Sequence, residues 1–142
     1  MKVSDIVTRP LVSIGSDATV LEASKLMVKN NVGILIVLDQ GNRTKLLGVI
    51  SERDIIRSIA SDGKLPDPVD TISTKEAITV KANSDVAEAA KAMNKHGIRH
   101  VVVIDDHNVP VGVVSMRDLV GERATLNAIL QSDEKEVFVG GD

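Results

Sequence analysis

Apolar residues follow two different patterns along the chain. The runs at Ile34–Leu38 and at residues 101–104 are apolar throughout, which is typical of strands buried on both faces. Elsewhere apolar residues recur every three or four positions, as on the buried face of a helix. These helical positions are Val20, Ala23 and Met27 in one segment and Val86, Ala89, Ala90 and Met93 in another. The pattern therefore predicts a fold that contains both helices and strands.

The same pattern occurs twice. Residues 14–39 align with residues 80–105 at an offset of 66, and residues 48–54 align with residues 112–118 at an offset of 64. The offset changes between residues 40–45 and 106–110, where turn-forming residues are concentrated. A length difference confined to a turn is expected of a true structural repeat.

Each repeat is predicted to have the order β-α-β-β-α. The leading strands are expected at residues 11–14 and 77–80, and the first helices after the N-cap candidates Asp17 and Asp85. Gly97 is expected to end the helix of the second repeat. The central strands are the two apolar runs, the third strands are expected at residues 46–50 and 111–114, and the closing helices run from Asp54 to about Ala60 and from Asp118 to about Leu130.

The predicted architecture is α+β, with two repeats packed around a pseudo-two-fold axis. The first repeat spans residues 1–60, a linker spans 61–68, the second repeat spans 69–130, and residues 131–142 form an acidic tail that is expected to be flexible. Packing of the two repeats is expected because one unit of this size buries too little apolar surface to be stable alone.

Composition excludes several classes of function. The 142 residues include no Cys, no Trp, no Tyr and one Phe, and the net charge is −3. Disulfides, thiolate metal sites and base-stacking nucleic-acid surfaces are therefore not expected. No apolar run approaches the length of a membrane span, and no signal peptide is recognisable, so a cytoplasmic protein is expected. No motif for an enzyme nucleophile or a phosphate-cradling loop occurs, so catalysis is not expected.

Two short motifs carry candidate chemistry, Ser51-x-x-Asp54 and Ser115-x-x-Asp118. One interpretation is a helix cap, in which serine and aspartate satisfy free N–H groups at the start of a helix. The other is a ligand site, since such a helix start attracts phosphate and an aspartate can accept the two hydroxyls of a ribose. The interpretations are compatible, because a capped helix can present the same groups to a ligand.

The doubled pattern, with Gly-hydrophobic-hydrophobic-Ser-x-Arg-Asp closing each copy at residues 48–54 and 112–118, resembles a CBS domain pair, also called a Bateman module. The resemblance covers roughly residues 3–122. No catalytic, transporter or channel domain is recognisable beside it, so the chain looks like a stand-alone pair. The resemblance implies a regulatory module that binds an adenosyl ligand between its repeats and transmits occupancy to a partner protein.

The resemblance also implies two clefts, each built from both repeats. The leading strand of one repeat would contact adenine, and the closing motif of the other would hold ribose and lie near phosphate. The main cleft is expected to contain Val12, Ser13, Val32, Gly33, Arg99, His100, Ser115, Arg117 and Asp118. The second, weaker cleft is expected to contain Ile34, Ser51, Arg53, Asp54, Ile78, Thr79 and Ile98, together with Gly33.

The two clefts differ in charge. Arg99 and His100 align with Gly33 and Ile34, so only the main cleft has a guanidinium and an imidazole where the family places phosphate contacts. The alternative interpretation is that both are ordinary solvated side chains. Expected ligands are AMP, ADP or ATP, with S-adenosylmethionine and NAD as further adenosyl compounds, and no cofactor is required.

Two further interpretations concern assembly and metal binding. Pairs of this family often dimerise through their helices, and the apolar residues after Asp54 and Asp118 predict a homodimer: Ile55, Ile56, Ile59, Leu119, Leu126, Ile129 and Leu130. A ligand-independent assembly module with vestigial sites is therefore the alternative function.

His96 and His100 have the spacing of a helical metal pair, but Gly97 interrupts the helix and no acidic ligand is close in sequence, so no metal site is expected.

Overall fold

The computed structural model describes residues 1–7, 10–121 and 129–131. The elements in chain order are α1 (Val3–Ile6), β1 (Ser13–Gly15), α2 (Val20–Asn30), β2 (Ile34–Leu38), β3 (Leu46–Ser51), α3 (Glu52–Ala60), a 3-10 turn (Val69–Thr71), β4 (Thr74–Lys75), β5 (Thr79–Lys81), α4 (Val86–His96), β6 (His100–Ile104), β7 (Pro110–Ser115) and α5 (Met116–Val120). The predicted α+β class and the predicted β-α-β-β-α order of each repeat are confirmed.

The strands form two sheets with the same internal pairing. The first has the order β1-β2-β3-β4 and the second the order β5-β6-β7. In each repeat the leading strand pairs in parallel with the central strand, which pairs antiparallel with the third strand. Both central strands shift register at equivalent positions, between Val37 and Leu38 and between Val103 and Ile104. The sequence repeat is therefore also a structural repeat.

Each sheet has its own core, and a third apolar cluster joins the two sheets. The joining cluster consists of Ile36, Leu38, Val102 and Ile104. Ile36 and Val102 are equivalent positions of the two repeats, as are Leu38 and Ile104, so the sheets meet through matching residues. Met27 and Met93, on the inner faces of α2 and α4, are 5% and 3% exposed and fill the two separate cores.

The segment that leads into each repeat packs against the opposite repeat. Val3 is fully buried in the core of the second repeat, and Val69 is fully buried in the core of the first. The backbone N–H of Val3 donates to the carbonyl oxygen of Ser84, and that of Val69 donates to the carbonyl oxygen of Ala18. The two halves are therefore joined by exchanged segments as well as by the contact between sheets.

The first helix of each repeat is capped differently. Asp85 caps α4 as predicted, because its side chain accepts a hydrogen bond from the N–H of Ala87, and Gly97 ends that helix in the left-handed conformation. The prediction of Asp17 as the cap of α2 is wrong. Thr19 is the cap, since its hydroxyl accepts from the N–H of Glu22 while the Glu22 carboxylate accepts from the N–H of Thr19.

Several element boundaries also differ from prediction. The closing helices begin at Glu52 and Met116, because the serine before each is the N-cap and the aspartate lies in the first turn. The leading strands lie about two residues later than predicted. Helix α5 ends at Val120 rather than near Leu130, because Gly121 adopts a left-handed conformation with φ 61° and closes the helix. Residues 129–131 are helical again, while the rest of the predicted helix and all of the predicted tail except Gln131 lie outside the described residues.

The turns between the central and third strands account for the length difference between the repeats. The N–H of Asp39 donates to the carbonyl oxygen of Lys45, whereas the N–H of the equivalent Asp105 donates to that of Val109, two residues closer. Hydrogen bonds from the N–H groups of Val109 and His107 hold the pKa of Asp105 below its usual value.

Among the described residues, no helix is long and apolar enough to cross a membrane.

Candidate functional site

Strand pairing brings the predicted polar residues of each repeat to one edge of its sheet. Ile34 pairs with Ser51 at the edge of the first sheet, and His100 pairs with Ser115 at the edge of the second. The closing helix begins at the same edge, one residue after the serine. We call the residues at the first edge, Gly33, Ile34 and 51–54, the Asp54 cluster. We call the residues at the second edge, Arg99, His100 and 115–118, the Asp118 cluster.

The serine and aspartate of each cluster are joined by the same three hydrogen bonds. In the Asp118 cluster, the backbone N–H and the hydroxyl of Ser115 donate to Oδ2 of Asp118 over 2.8 and 3.0 Å, and the N–H of Asp118 donates to Oγ of Ser115 over 3.2 Å. The corresponding distances between Ser51 and Asp54 are 2.9, 3.1 and 3.2 Å. The helix-cap interpretation of both motifs is therefore confirmed.

The leading strands contribute backbone groups to the same two sheets. The carbonyl oxygen of Val12 accepts from the N–H of Ile36, and the carbonyl oxygen of Ile78 accepts from the N–H of Val102. Val12 and Ser13 thus lie in the sheet of the Asp54 cluster, and Ile78 and Thr79 lie in the sheet of the Asp118 cluster. The expectation that each cleft takes its leading strand from the opposite repeat stays a prediction.

Positive charge gathers at the Asp118 cluster. His100 is half-buried, and its pKa lies below the usual value because burial disfavours the charged imidazole, although the Asp118 carboxylate acts in the opposite direction. The guanidinium groups of Arg117 and Arg99 lower the pKa of His100 further. The side chains of both arginines are exposed. This arrangement combines a carboxylate that can accept hydroxyl groups with cations that can contact an anion.

The Asp54 cluster has a different set of neighbours. Gly33 and Ile34 occupy the positions of Arg99 and His100, and the carboxylate of Glu52 lies against Gly33: a Cβ atom on Gly33 would be 3.1 Å from Oε1 of Glu52. The hydroxyl of Thr74, from β4, lies 3.4 Å from both carboxylate oxygens of Asp54.

Glu52 and Thr74 are not among the site residues predicted from the sequence. Glu52 aligns with Met116 in the repeat, so the sequence alone shows that the two closing motifs differ by one negative charge at this position. Thr74 carries no comparable signal, because β4 has two residues and no apolar pattern.

The remaining predicted site residues are placed by the cores. Val32 and Ile98 are half-buried and pack against the first and second cores, directly before the central strands. Arg53 is exposed on the first turn of α3, as Arg117 is on the first turn of α5. All sixteen predicted residues fall within the described part of the chain.

Two open grooves involve residues of the second repeat. One, of about 430 Å³, runs between β5 and α4, and the other, of about 450 Å³, lies between the turns of the two repeats. Thr79 lines both grooves, whereas Ser115 and Asp118 line neither. Within the described residues, no group of three or more histidine or carboxylate side chains is arranged to hold a metal ion.

The sequence matches a family model. The model of the CBS domain matches residues 3–61 and again residues 69–124. The chain belongs to the CBS domain family. Its two repeats are the two domains of a CBS pair, and the closing motifs of both lie inside the matched segments.

Solved CBS structures have the same fold. A CBS domain protein from Pyrobaculum aerophilum, complexed with AMP, superposes with a TM-score of 0.82 at 37% identity, covering 92% of this chain and 99% of that one. The CBS domain pair of protein MJ0100, in complex with 5′-methylthioadenosine and S-adenosyl-L-methionine, gives a TM-score of 0.78 at 29% identity, covering 88% and 97%. An uncharacterized 17.7 kDa protein of Acidianus ambivalens is 36% identical over 118 residues, which are 83% of this chain and 70% of that protein.

Proposed function

We propose that this CBS pair is a regulatory module that binds an adenosyl ligand and transmits its occupancy to a partner protein. The observation that carries the proposal is the Asp118 cluster. There the Asp118 carboxylate, which takes part in the helix cap, lies near the half-buried imidazole of His100 and two arginine side chains. Support comes from the two similar CBS structures, which hold AMP in one case and 5′-methylthioadenosine with S-adenosyl-L-methionine in the other. The role is regulatory rather than catalytic.

In the proposed main cleft, Asp118 accepts the hydroxyl groups of the ribose. Arg99 and Arg117 contact the phosphates, since cationic donors form the strongest hydrogen bonds with such groups. His100, whose pKa is lowered by burial, donates a further hydrogen bond to a phosphate as a neutral imidazole. Val12, Ser13, Val32 and Gly33 surround the adenine with aliphatic and backbone groups, so no aromatic side chain is needed. We call this main cleft the Asp118 cleft and the second cleft the Asp54 cleft. The Asp54 cleft binds more weakly, because it has no residue equivalent to Arg99.

The proposed ligand is AMP, ADP or ATP, with S-adenosyl-L-methionine and NAD as alternatives that share the adenosine part. Isothermal titration of the full chain with this panel tests the proposal. We expect saturable binding of at least one adenine nucleotide with an affinity that depends on Asp118. Absence of heat and of any thermal shift with every compound would contradict it.

A second candidate is an assembly module that needs no ligand. It is favoured by the bonds between each aspartate and its serine, which are complete without a ligand. It is also favoured by exposed apolar side chains on the closing helices, since Ile56 is 66% exposed and Val120 is 63% exposed. Titrations that show no nucleotide binding, together with melting temperatures that are the same with and without nucleotides, would select this candidate.

We also propose a homodimer formed through the closing helices. Of the residues that suggested it, Ile55 is buried and Leu119 packs against the second core, whereas Ile56, Ile59, Ile129 and Leu130 are exposed. Leu126 lies outside the described residues. Ile56 and Val120 are equivalent positions of the repeat, so a second copy could oppose the two exposed faces by a two-fold rotation.

A further inference from the structure

Glu52 occupies a position where it can distinguish ligands by their charge. It is the first residue of α3, it follows the capping Ser51, and its carboxylate lies against Gly33. Gly33 is half-buried directly before β2, and its carbonyl oxygen accepts a 3.0 Å hydrogen bond from the N–H of Glu52. The side chains of Glu52 and Asp54 therefore come from the same turn of α3. This turn lies at the edge of the first sheet, where the Asp54 cleft is proposed.

The equivalent edge of the second repeat carries more positive charge, although both edges share an arginine and an aspartate, Arg53 with Asp54 and Arg117 with Asp118. Met116 replaces Glu52, and Arg99 replaces Gly33. The backbone contact is the same, since the N–H of Met116 donates to the carbonyl oxygen of Arg99 over 2.8 Å. The two edges thus have matching backbones, but the first has an additional acid, Glu52, and the second has an additional base, Arg99.

We propose that Glu52 makes the Asp54 cleft selective for adenosyl compounds whose 5′-substituent carries no negative charge, while the Asp118 cleft takes those with phosphate. This inference rests on the proposed function and names the ligand class of its second cleft. A phosphate group carries between one and two negative charges near neutral pH, and a neighbouring carboxylate repels it. A neutral thioether is not repelled, and a cationic sulfonium is attracted.

The expected effect is moderate because the Glu52 side chain is exposed and solvent screens its charge. Glu52 also lies where an acidic residue favours the helix dipole, so a variant could lose some stability for that reason alone. A purely structural role would change the binding of neutral and anionic adenosyl ligands equally. The ratio of their affinities therefore separates the two roles.

The experiment compares 5′-methylthioadenosine, which is uncharged, with AMP. Titrations are made on wild type, on Asp118→Asn and on Asp118→Asn/Glu52→Gln, because Asp118→Asn weakens the main cleft and exposes binding at the Asp54 cleft. In the double variant, we expect AMP affinity to rise about three- to tenfold over Asp118→Asn, with the affinity for 5′-methylthioadenosine changed less than twofold. The gain should shrink at 0.5 M salt.

The reciprocal variant Met116→Glu is the matched control. It adds a carboxylate at the equivalent position of the main cleft and should weaken AMP more than 5′-methylthioadenosine. An affinity ratio that is the same in Asp118→Asn/Glu52→Gln as in Asp118→Asn would overturn the inference, as would binding of neither compound to the Asp118→Asn proteins when wild type binds. Binding of neither compound to wild type, with no other adenosyl ligand bound, would instead contradict the proposed function.

Discussion

The carbonyl oxygen of Arg99 accepts a 2.8 Å hydrogen bond from the backbone N–H of Met116. This bond fixes the backbone of Arg99 beside the first turn of α5, independently of the arginine side chain. The Arg99 side chain is exposed, so its removal leaves no buried group without a partner. The position therefore allows the charge near Asp118 to be changed while the backbone stays in place.

Arg99→Ala should weaken ATP and AMP more than adenosine. We expect a loss of about three- to tenfold for the nucleotides, because a charge-assisted contact with phosphate is removed, and less than twofold for adenosine. Isothermal titration of the three compounds measures the difference. Lys95→Ala, which removes an exposed cation from the end of α4, is the control. Equal losses for adenosine and ATP would show that Arg99 does not meet phosphate.

Asp118→Asn should separate the ligand site from the helix cap. The change removes the charge that accepts ribose hydroxyls, so affinity should fall by about 1.5–3 kcal/mol, or roughly ten- to 150-fold. Stability should fall by less than about 1 kcal/mol, since the amide oxygen of asparagine still accepts the hydrogen bond from the N–H of Ser115. Nucleotide titrations and melting curves measure both quantities.

The matched variant Asp54→Asn should have a smaller effect on ATP, because the Asp118 cleft is proposed to dominate. If Asp118→Asn lowers stability but leaves ATP affinity unchanged, the motif at residues 115–118 is only a cap. The nucleotide interpretation of that cleft would then be abandoned.

His100 should make the stability of the protein fall on mild acidification. Its pKa in the folded state is lowered by burial, so the unfolded chain binds the proton first as pH falls through about 6.5. Stability from this group is therefore present above that pH and decreases below it, until the folded state is protonated as well. Melting temperatures of wild type and His100→Asn between pH 7.5 and 5.5 measure the slope.

We expect a shallower pH dependence for His100→Asn than for wild type. His96→Asn removes an exposed imidazole at the end of α4 and should retain the wild-type slope. Identical slopes for wild type and His100→Asn would contradict the assignment.

Light scattering should report a homodimer at micromolar concentration, with about twice the chain mass of 15.1 kDa. Ile56→Glu should shift the population to monomer, because it places a charge on the exposed face of α3. Val111→Glu, which changes an exposed apolar residue of β7, should leave the dimer intact. A wild-type protein that is monomeric under these conditions would rule out the dimer.

Gly48→Ala should destabilise the first repeat by about 1–3 kcal/mol. A Cβ atom at Gly48 would lie closer than van der Waals contact to the carbonyl oxygen of Thr74, so β4 would have to move. Gly41→Ala is the control, because no atom beyond Gly41 and its two chain neighbours lies within 4 Å of its Cβ position. Chemical denaturation gives the free energies of unfolding of both variants. Equal values for Gly48→Ala and Gly41→Ala would mean that β4 can move without loss of stability.

The elements that were predictable from sequence are those whose signal is local. The apolar run Ile34–Leu38 and the cap Asp85 have neighbours in sequence that determine their conformation, and both predictions are confirmed. Thr19 was missed as the cap of α2 because Asp17 and Thr19 are both good caps, and the choice is made by the reciprocal bond with Glu22. The two-residue strand β4 depends on pairing with β3, which no local pattern specifies.

The candidate site divides in the same way. The bonds between Ser115 and Asp118 span three residues, so the motif predicts them directly. The approach of Glu52, at the start of α3, to Gly33, directly before β2, depends on the register in which Ile34 pairs with Ser51. The half-burial of His100 likewise depends on how β6 packs, which sequence spacing does not specify.

The exchanged leading segments have a consequence for the order in which the chain can fold during its synthesis. Val3 is among the first residues made, yet its buried neighbours include Val80 and Val114. Until the ribosome has released the second repeat, Val3 lacks its buried partners, whereas the first core needs nothing beyond Ile72. Native structure should therefore appear first in the N-terminal sheet, with the N-terminal segment docking last.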